Sequence, residues 1–397
     1  MSTITIDQDY LRDTVSALIR INSINPTLAA DGPGEGETAV YVANAMRQLG
    51  LDVTHYEVQP GRPNVVGRLA GNGRSAAGRS LLLNAHMDTV GVAGMTIPPF
   101  APTLRDGKVY GRGAQDMKGS LAAMLAATKA LVDAGARLAG DVLVTAVCDE
   151  EYSSIGSADL VTYPEFHADA AIVTEPTDMA VCCAHRGYIW YNVETFGRAA
   201  HGSRFQEGVD ANMRMGRFLA ELDRLEQELR QRPPHPLAGP PSLHAARLQG
   251  GSEISIYAAH CLCQIERRTI PGEMEAQATA ELQAIVDRLA ATDPTFRAAI
   301  TPFFQREPFA TGADSPIVQA VTQAATRRLG QRPPHIGQPF WTDAALFAAA
   351  GMDSVLIGPK GDGLHSAVEW VDLASLVDLA AILAETAVAY CNHNPAT

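Results

Sequence analysis

Apolar positions along the chain recur with two periods, and the switches between them mark out its elements. Leu11, Val15, Leu18 and Ile19 share one face of an opening helix. A second helical pattern covers 37–49, and Gly50 follows where a left-handed cap ends such a helix. Apolar runs of strand length come next at 64–69, 80–85 and 141–147, with an Ala-rich helix near 119–134 and a further strand at 169–174. Strands separated by helices predict an α/β layered catalytic domain built on a mixed sheet.

The texture changes after about residue 185. Ile189 to Phe196 alternates like a strand with one buried face, and a charged helix over about 210–231 ends at Pro233, Pro234 and Pro236. Extended runs at 243–249 and 253–268, a helix near 272–290 and a strand near 297–305 complete a strand–helix–strand–strand–helix–strand order. That order is the ferredoxin-like split βαβ arrangement, an α+β domain inserted into the first. From about 306 the α/β texture returns, with helices near 315–329 and 373–391 around a strand at 353–357. The expected division is 1–185 and 306–397 for the outer domain and 186–305 for the insert, with a site in the cleft between them.

A length of 397 residues agrees with two cores rather than one. With 46% hydrophobic and 19% charged residues, neither a disordered chain nor a membrane protein is expected. The richest apolar stretches are interrupted by Lys129, Asp133 and Arg137 or by Asp378 and Glu385, so none is expected to span a bilayer. A net charge of −13 argues against a nucleic-acid partner, which needs a basic surface. The opening MSTITIDQDYLRD lacks the basic-then-apolar order of a secretion signal, and six scattered cysteines suit a reducing compartment. A cytoplasmic location is the expectation. Cys182–Cys183 and Cys261–x–Cys263 are spaced too closely for a zinc hairpin and are expected to be buried thiols.

Candidate chemistry gathers where apolar strands end. LLLNAHMDTV runs into His86 and Asp88, and side chains two apart on a strand point the same way. Asp88 can then fix one imidazole nitrogen while the other binds a metal; taken alone, the pair reads equally well as a satisfied polar strand end. YGRGAQDMKGS holds Asp116 in a Gly-containing loop just before the Ala-rich helix, as a ligand or as a helix cap. It matches neither phosphate-binding glycine pattern. TAVCDEEYSSIGS ends a strand in Asp149, Glu150 and Glu151, AIVTEPTD ends one in Glu175, and GPKGDGLHSAVEWV places His365 in a Gly-rich loop after a strand. The carboxyl ends of strands are where ligands gather in an open α/β sheet. Two imidazoles with several carboxylates suit zinc or a similar divalent ion better than calcium.

In this order the motifs resemble those of the M20 family of metallopeptidases and deacylases, and the resemblance covers nearly the whole chain. It implies that His86 and Glu175 bind one metal ion and Glu151 and His365 a second. Asp116 would bridge the two, Asp88 would support His86, and Glu150 would act as general base. It also implies a cis peptide at Asp116–Met117 and makes the insert a lid and dimerisation domain. In GRAAHGS, His201 falls where the family keeps a histidine that reaches the neighbouring protomer's site. In ERRTIPGE, Arg268 falls where the family binds the substrate carboxylate, with Glu266 standing where the pattern has Asp.

The function implied is hydrolysis of the amide bond of N-acyl amino acids by a homodimer carrying two divalent ions, zinc first, cobalt or manganese as substitutes. A carboxypeptidase or dipeptidase of the same family is the alternative, and a binding protein that has lost catalysis is the alternative of another class. Trp341, Thr342 and Asp343 precede the final strand; Asp343 is a candidate for a substrate ammonium or for a buried helix cap.

Overall fold

A computed structural model describes residues 4–71 and 78–392, and within them the chain forms two compact units. The first runs to Cys183 and resumes at Thr311–Ile336 and from Thr342 onward; the second is Ala184–Ala310 with Gly337–Trp341. The chain therefore passes between units a few residues from the expected boundaries, and it makes one short return to the second unit that no composition shift signals. The ends of the expected outer domain, 1–3 and 393–397, lie outside the described residues.

In the first unit four parallel strands form the centre of a mixed sheet. Leu81–His86 pairs with Val142–Val147 on one side and with Ala170–Val173 on the other, and Asp353–Leu356 pairs with the last of these. Leu81–His86, Val142–Val147 and Ala170–Val173 are buried along their full length, as parallel strands covered on both faces must be. Antiparallel Arg62–Leu69 and Asp52–Gln59 extend the sheet beyond Val142–Val147. Asp52–Gln59 escaped the sequence reading because its side chains, largely polar, are exposed or half-exposed.

Helix Gly119–Asp133 lies between helices Gln8–Arg20 and Leu373–Cys391, which accounts for its Ala-rich, almost wholly buried surface. By length and composition Leu373–Cys391 could cross a membrane, contrary to the sequence expectation, yet it is 67% buried inside this unit. Its two acids, Asp378 and Glu385, meet Arg328 at 2.7 Å and Arg327 at 3.1 Å on helix Pro316–Leu329. It is a core helix.

A small sheet sets the geometry of the site. Lys108–Tyr110 pairs with Thr103–Arg105 and with Trp370–Asp372, which also pairs with Gly361–Asp362. Trp370 lies opposite Tyr110, so the loop carrying His365 and the loop carrying Asp116 leave the same ladder side by side.

The second unit is a four-stranded antiparallel sheet ordered Ser242–Gly250, His260–Thr269, Gly187–Phe196, Arg297–Arg306. This order, with helices Ala211–Gln231 and Glu275–Thr292 between strands, is the split βαβ arrangement. Ile189, Tyr191, Val193, Cys263 and Ile265 face Phe218, Leu222, Leu282 and Ile285 of the two helices. Residues 253–259, expected to be extended, form turns and loop before the strand begins at His260. All six cysteines are buried thiols.

Candidate metal centre

The carboxyl ends of the parallel strands deliver His86, Glu150, Glu151 and Glu175 to one edge of the sheet. Asp116 arrives from the loop after Tyr110. Gly113 at φ +78° and Gly111 at φ +151° make that approach possible. A Cβ on Gly111 would come within 2.5 Å of the Ile19 side chain. The Asp116–Met117 peptide is cis. His365 has φ +56°, a left-handed conformation that a non-glycine residue holds only when its surroundings enforce it.

The carboxylate of Asp116 stands between two imidazoles. His86 Nε2 is 3.0 Å from Oδ1, and His365 Nε2 is 3.3 Å from Oδ2 and 2.9 Å from Glu151 Oε2. Glu175 Oε1 lies 3.8 Å from His86 Nε2. Ligand atoms of His86, Asp116 and Glu151 lie within 4.8 Å of one another, as do those of His86, Glu150 and Glu175. Glu150 thus comes as near His86 as a ligand would.

Asp88 differs from the sequence expectation. His86 Nδ1 meets the backbone carbonyl of Asp88 at 3.0 Å, while the nearer carboxylate oxygen stands off at 3.5 Å. That carboxylate instead accepts from the backbone N–H groups of Glu150 and Glu151 at 3.1 and 3.2 Å and from Asn25 Nδ2 at 2.8 Å. Asp88 therefore orients the two glutamates as directly as it orients the histidine. Asn25 also donates to Asp149 at 2.9 Å, and Arg62 joins Asp149 to Glu35 at 2.9 and 2.7 Å. The tight acidic turn that Asp149 enters with φ +67° is braced on every side.

Two important residues were missed in the sequence. Glu369, fully buried, accepts from the backbone N–H groups of Gly113 at 3.0 Å, Gln115 at 2.9 Å and Asp116 at 3.1 Å. It also takes Arg112 Nη1 at 2.7 Å, and the same guanidinium donates to the carbonyl of Ser366, next to His365, at 3.2 Å. This buried pair ties the Asp116 loop to the His365 loop. Glu369 stands within the motif GPKGDGLHSAVEWV, but its partners lie more than 250 positions upstream.

Burial pushes the Glu150 and Glu175 carboxyls well above their usual range, and neighbouring acids push them further. Glu151 rises to about 7, first through burial and then through the charge of Asp116. Burial acts on Asp116 in the same direction, but hydrogen bonds from His365 and His86 overcome it and hold its carboxyl low. The hydrogen bonds that His365 donates to Asp116 and Glu151 raise it to about 10. Burial opposes the charge on His86, and the carboxylates of Asp116 and Asp88 reverse that effect. Among the described residues the buried Glu151 Oε1 has no hydrogen-bond partner. Crowded acids, two imidazoles and an orphaned oxygen fit a site for divalent cations, which would relieve the repulsion and take up that oxygen.

Asp343 is enclosed, with 1% of its surface exposed, and its Oδ2 accepts from Ser157 Oγ at 2.6 Å rather than capping the helix Ala344–Ala349. Burial raises its carboxyl to about 6. His201 and Arg268 belong to the second unit. His201 is exposed and its Nδ1 lies 2.9 Å from Ser203 Oγ. Arg268 is half-buried, with Nε donating to Glu266 at 2.6 Å and its guanidinium 5.0 Å from the Tyr188 ring centre.

The sequence pattern of peptidase family M20/M25/M40 matches residues 82–389. An N-formyl-4-amino-5-aminomethyl-2-methylpyrimidine deformylase of Bacillus subtilis is 29% identical over 388 residues, covering 89% of each chain. An acetylornithine deacetylase of Myxococcus xanthus is also 29% identical, covering 96% of this chain and 97% of its own. Among solved structures, the aminopeptidase PepT of Bacillus cereus superposes with a TM-score of 0.79 at 19% identity, covering 97% of this chain and 99% of its own. A dinuclear metal-binding peptidase of Bacillus subtilis superposes with a TM-score of 0.75 at 16% identity, covering 96% and 97%. Both are likenesses of fold.

Proposed function

Because the chain belongs to the M20/M25/M40 peptidase family, we propose that this hydrolase removes the acyl group from N-acyl amino acids. The observation that carries the reading is the Asp116 carboxylate, with one oxygen turned to His86 and the other to His365. Such an arrangement suits a ligand shared by two cations. The two curated relatives, both 29% identical, are named for removing a formyl and an acetyl group respectively, which supports a deacylase over a peptidase.

His86 and Glu175 would hold one divalent ion and Glu151 and His365 the other, with Asp116 shared. Zinc is the expected species, with cobalt or manganese as substitutes; the ions supply Lewis acidity that polarises the amide carbonyl and acidifies the attacking water. Glu150 takes the proton of that water and delivers it to the leaving nitrogen. Asp88 holds Glu150 and Glu151 in place through their backbone N–H groups, while Arg112 and Glu369 hold the Asp116 loop. Arg268 receives the substrate carboxylate, and Asp343, if opened by substrate, would meet an ammonium. His201 donates to the developing oxyanion of a neighbouring protomer, which makes a homodimer the working unit; the six scattered thiols suit the cytoplasm.

The test is a panel of N-formyl, N-acetyl and longer N-acyl amino acids alongside dipeptides, followed by release of free amine. Efficient turnover of the acyl amino acids is expected. Cleavage of dipeptides with inert acyl amino acids would replace the deacylase reading with a dipeptidase.

A further inference from the structure

Between strand Val142–Val147 and helix Ile155–Leu160 the chain makes one turn, and Glu150 and Glu151 both stand in it. Its sequence, CDEEYSS, holds no glycine, yet Asp149 has φ +67° and Ser154 φ +54°. L-residues keep such left-handed angles only where their surroundings impose them. Part of the imposition is local. The Asp149 carbonyl accepts from the N–H groups of Ser153 at 3.1 Å and Ser154 at 2.6 Å, and its carboxylate accepts from Ser153 Oγ at 2.6 Å. Bonds within the turn fix its shape but not its place beside the imidazoles. That place is set from outside, by Asp88 and by a second group that takes no part in the chemistry.

The second group is Arg62. Its guanidinium grips Glu35 with two bonds, Nε to Oε2 and Nη2 to Oε1, both 2.7 Å, and the same Nη2 donates to Asp149 Oδ1 at 2.9 Å. Glu35 in turn accepts from the backbone N–H of Asp149 at 3.1 Å. Guanidinium and carboxylate together clasp this one residue by its side chain and by its main chain. Glu35 and Asp149 are 0% and 1% exposed and Arg62 8%. They come from three places: the residue before helix Gly36–Gln48, the start of strand Arg62–Leu69, and the turn itself. Burying such charges is costly even when they pair, and well-packed apolar residues would hold the fold together as firmly. What an apolar cluster cannot do is direct bonds at one N–H and one carboxylate oxygen. Those bonds fix the backbone one residue before Glu150.

We propose that Arg62 is a positioning residue for Glu150: through Glu35 and Asp149 it sets the turn so that the Glu150 carboxylate meets the attacking water, and it acts on kcat rather than on substrate binding. The proposal rests on the reading of Glu150 as general base.

The test is kinetic, on the full-length enzyme carrying its metals, with whichever N-acyl amino acid or dipeptide the parent hydrolyses fastest. Arg62→Gln should lower kcat about a hundredfold, the scale of a small misplacement of a reacting group. KM should stay within about twofold, with both ions retained. Arg62→Lys keeps the charge but loses the fork, and should remain about tenfold below the parent. Arg68→Gln, on the same strand with 40% of its side chain exposed, should match the parent. Added to Glu150→Gln, Arg62→Gln should cost less than about threefold, because a group that acts through Glu150 has nothing left to position. Should Arg62→Gln misfold by circular dichroism, Glu35→Gln takes its place in both backgrounds, with a loss of about tenfold in the first. Parental kcat in a folded but less stable Arg62→Gln, or in Arg62→Lys, makes the clasp structural and overturns the proposal, as does a loss that follows missing metal. An undiminished loss on top of a crippled Glu150→Gln also overturns it and leaves the base reading intact. Near-parental kcat in Glu150→Gln alone would sink the base reading, and this proposal with it.

Discussion

The two units treat their charged residues in opposite ways. In the first, His86 and the acids at the strand ends are buried or half-buried, only His365 standing exposed, and several of the loops that carry them are held by groups from distant parts of the chain. Examples are Asp88 on the N–H groups of Glu150 and Glu151, Arg62 between Glu35 and Asp149, and Glu369 on the Asp116 loop. In the second, many ion pairs, such as Arg204–Glu207, lie at the surface and several join residues one helical turn apart, with the buried Arg267 beside Glu273 and Glu281 as an exception. Burial without a partner is expensive and water is a good substitute for a surface partner. Substitutions in the first region should therefore be severe and coupled, and those in the second mild and independent.

The largest expected effect comes from removing the cations that the first region is built to accept. Dialysis against a strong chelator should abolish turnover, with zinc, cobalt or manganese restoring it and two ions per chain found by elemental analysis. Full activity in metal-free protein would mean that the crowded acids serve stability alone. Next comes Glu150→Gln, which should lower kcat about a thousandfold or more with metal content unchanged, because proton transfer is what it removes. Glu151→Gln should instead lose one ion. If the two variants behaved alike, base and ligand would not be separate roles.

Glu369→Gln probes whether coupling reaches the site through the loops. It leaves Arg112 buried with a weakened partner and loosens three backbone N–H contacts at once, so a loss of about 3 kcal/mol in unfolding free energy is expected. The sharper readout is the visible spectrum of the cobalt-substituted enzyme, which should change with Asp116 and His365 geometry. An unaltered spectrum in a folded but less stable protein would make Glu369 structural only. His201 then tests the second region's share in catalysis. His201→Ala and Glu150→Ala should each be nearly inactive, yet subunit exchange should recover up to about a quarter of parental activity, since half the dimers are mixed and each has one whole site. No recovery despite demonstrated exchange would count against action across a dimer.

The same contrast explains what was legible in the sequence. His86, Glu150, Glu151 and Glu175 could be read because each follows a recognisable apolar run, and Asp116 and His365 because each stands in a Gly-containing loop close to such an element, a local signal. The roles of Glu369, Arg112 and Asn25 could not, because their partners are set by the pairing of Trp370 with Tyr110 and by the return of distant loops. Asp88 was found, but its strand spacing predicted a carboxylate bond to His86 where the backbone carbonyl makes the close contact. The helices and central strands were visible from their periodicity. Strand Asp52–Gln59 was hidden because an edge with exposed or half-exposed positions carries little apolar signal.

The smallest expected effect belongs to Arg217 on helix Ala211–Gln231. It lies 2.6 Å from Asp293, and its side chain is half exposed. Exposed pairs of this kind contribute about 0.2–1 kcal/mol, because water and salt screen them. The Asp293 carboxyl is held down at about 2, chiefly by the hydroxyl and backbone N–H of Thr295, with Arg217 a lesser cause. A carboxyl lowered on folding contributes stability above its unfolded value and loses it as pH falls toward the folded value. Because Thr295 remains in Arg217→Ala, that acid-side loss should keep its position, and the denaturation midpoint at neutral pH should barely move. Chemical denaturation of parent and variant at pH 7 and at pH 3 is the measurement. A loss above about 2 kcal/mol at pH 7 would be the size expected of a buried pair, and the division between a braced first unit and a water-supported second unit would then fail.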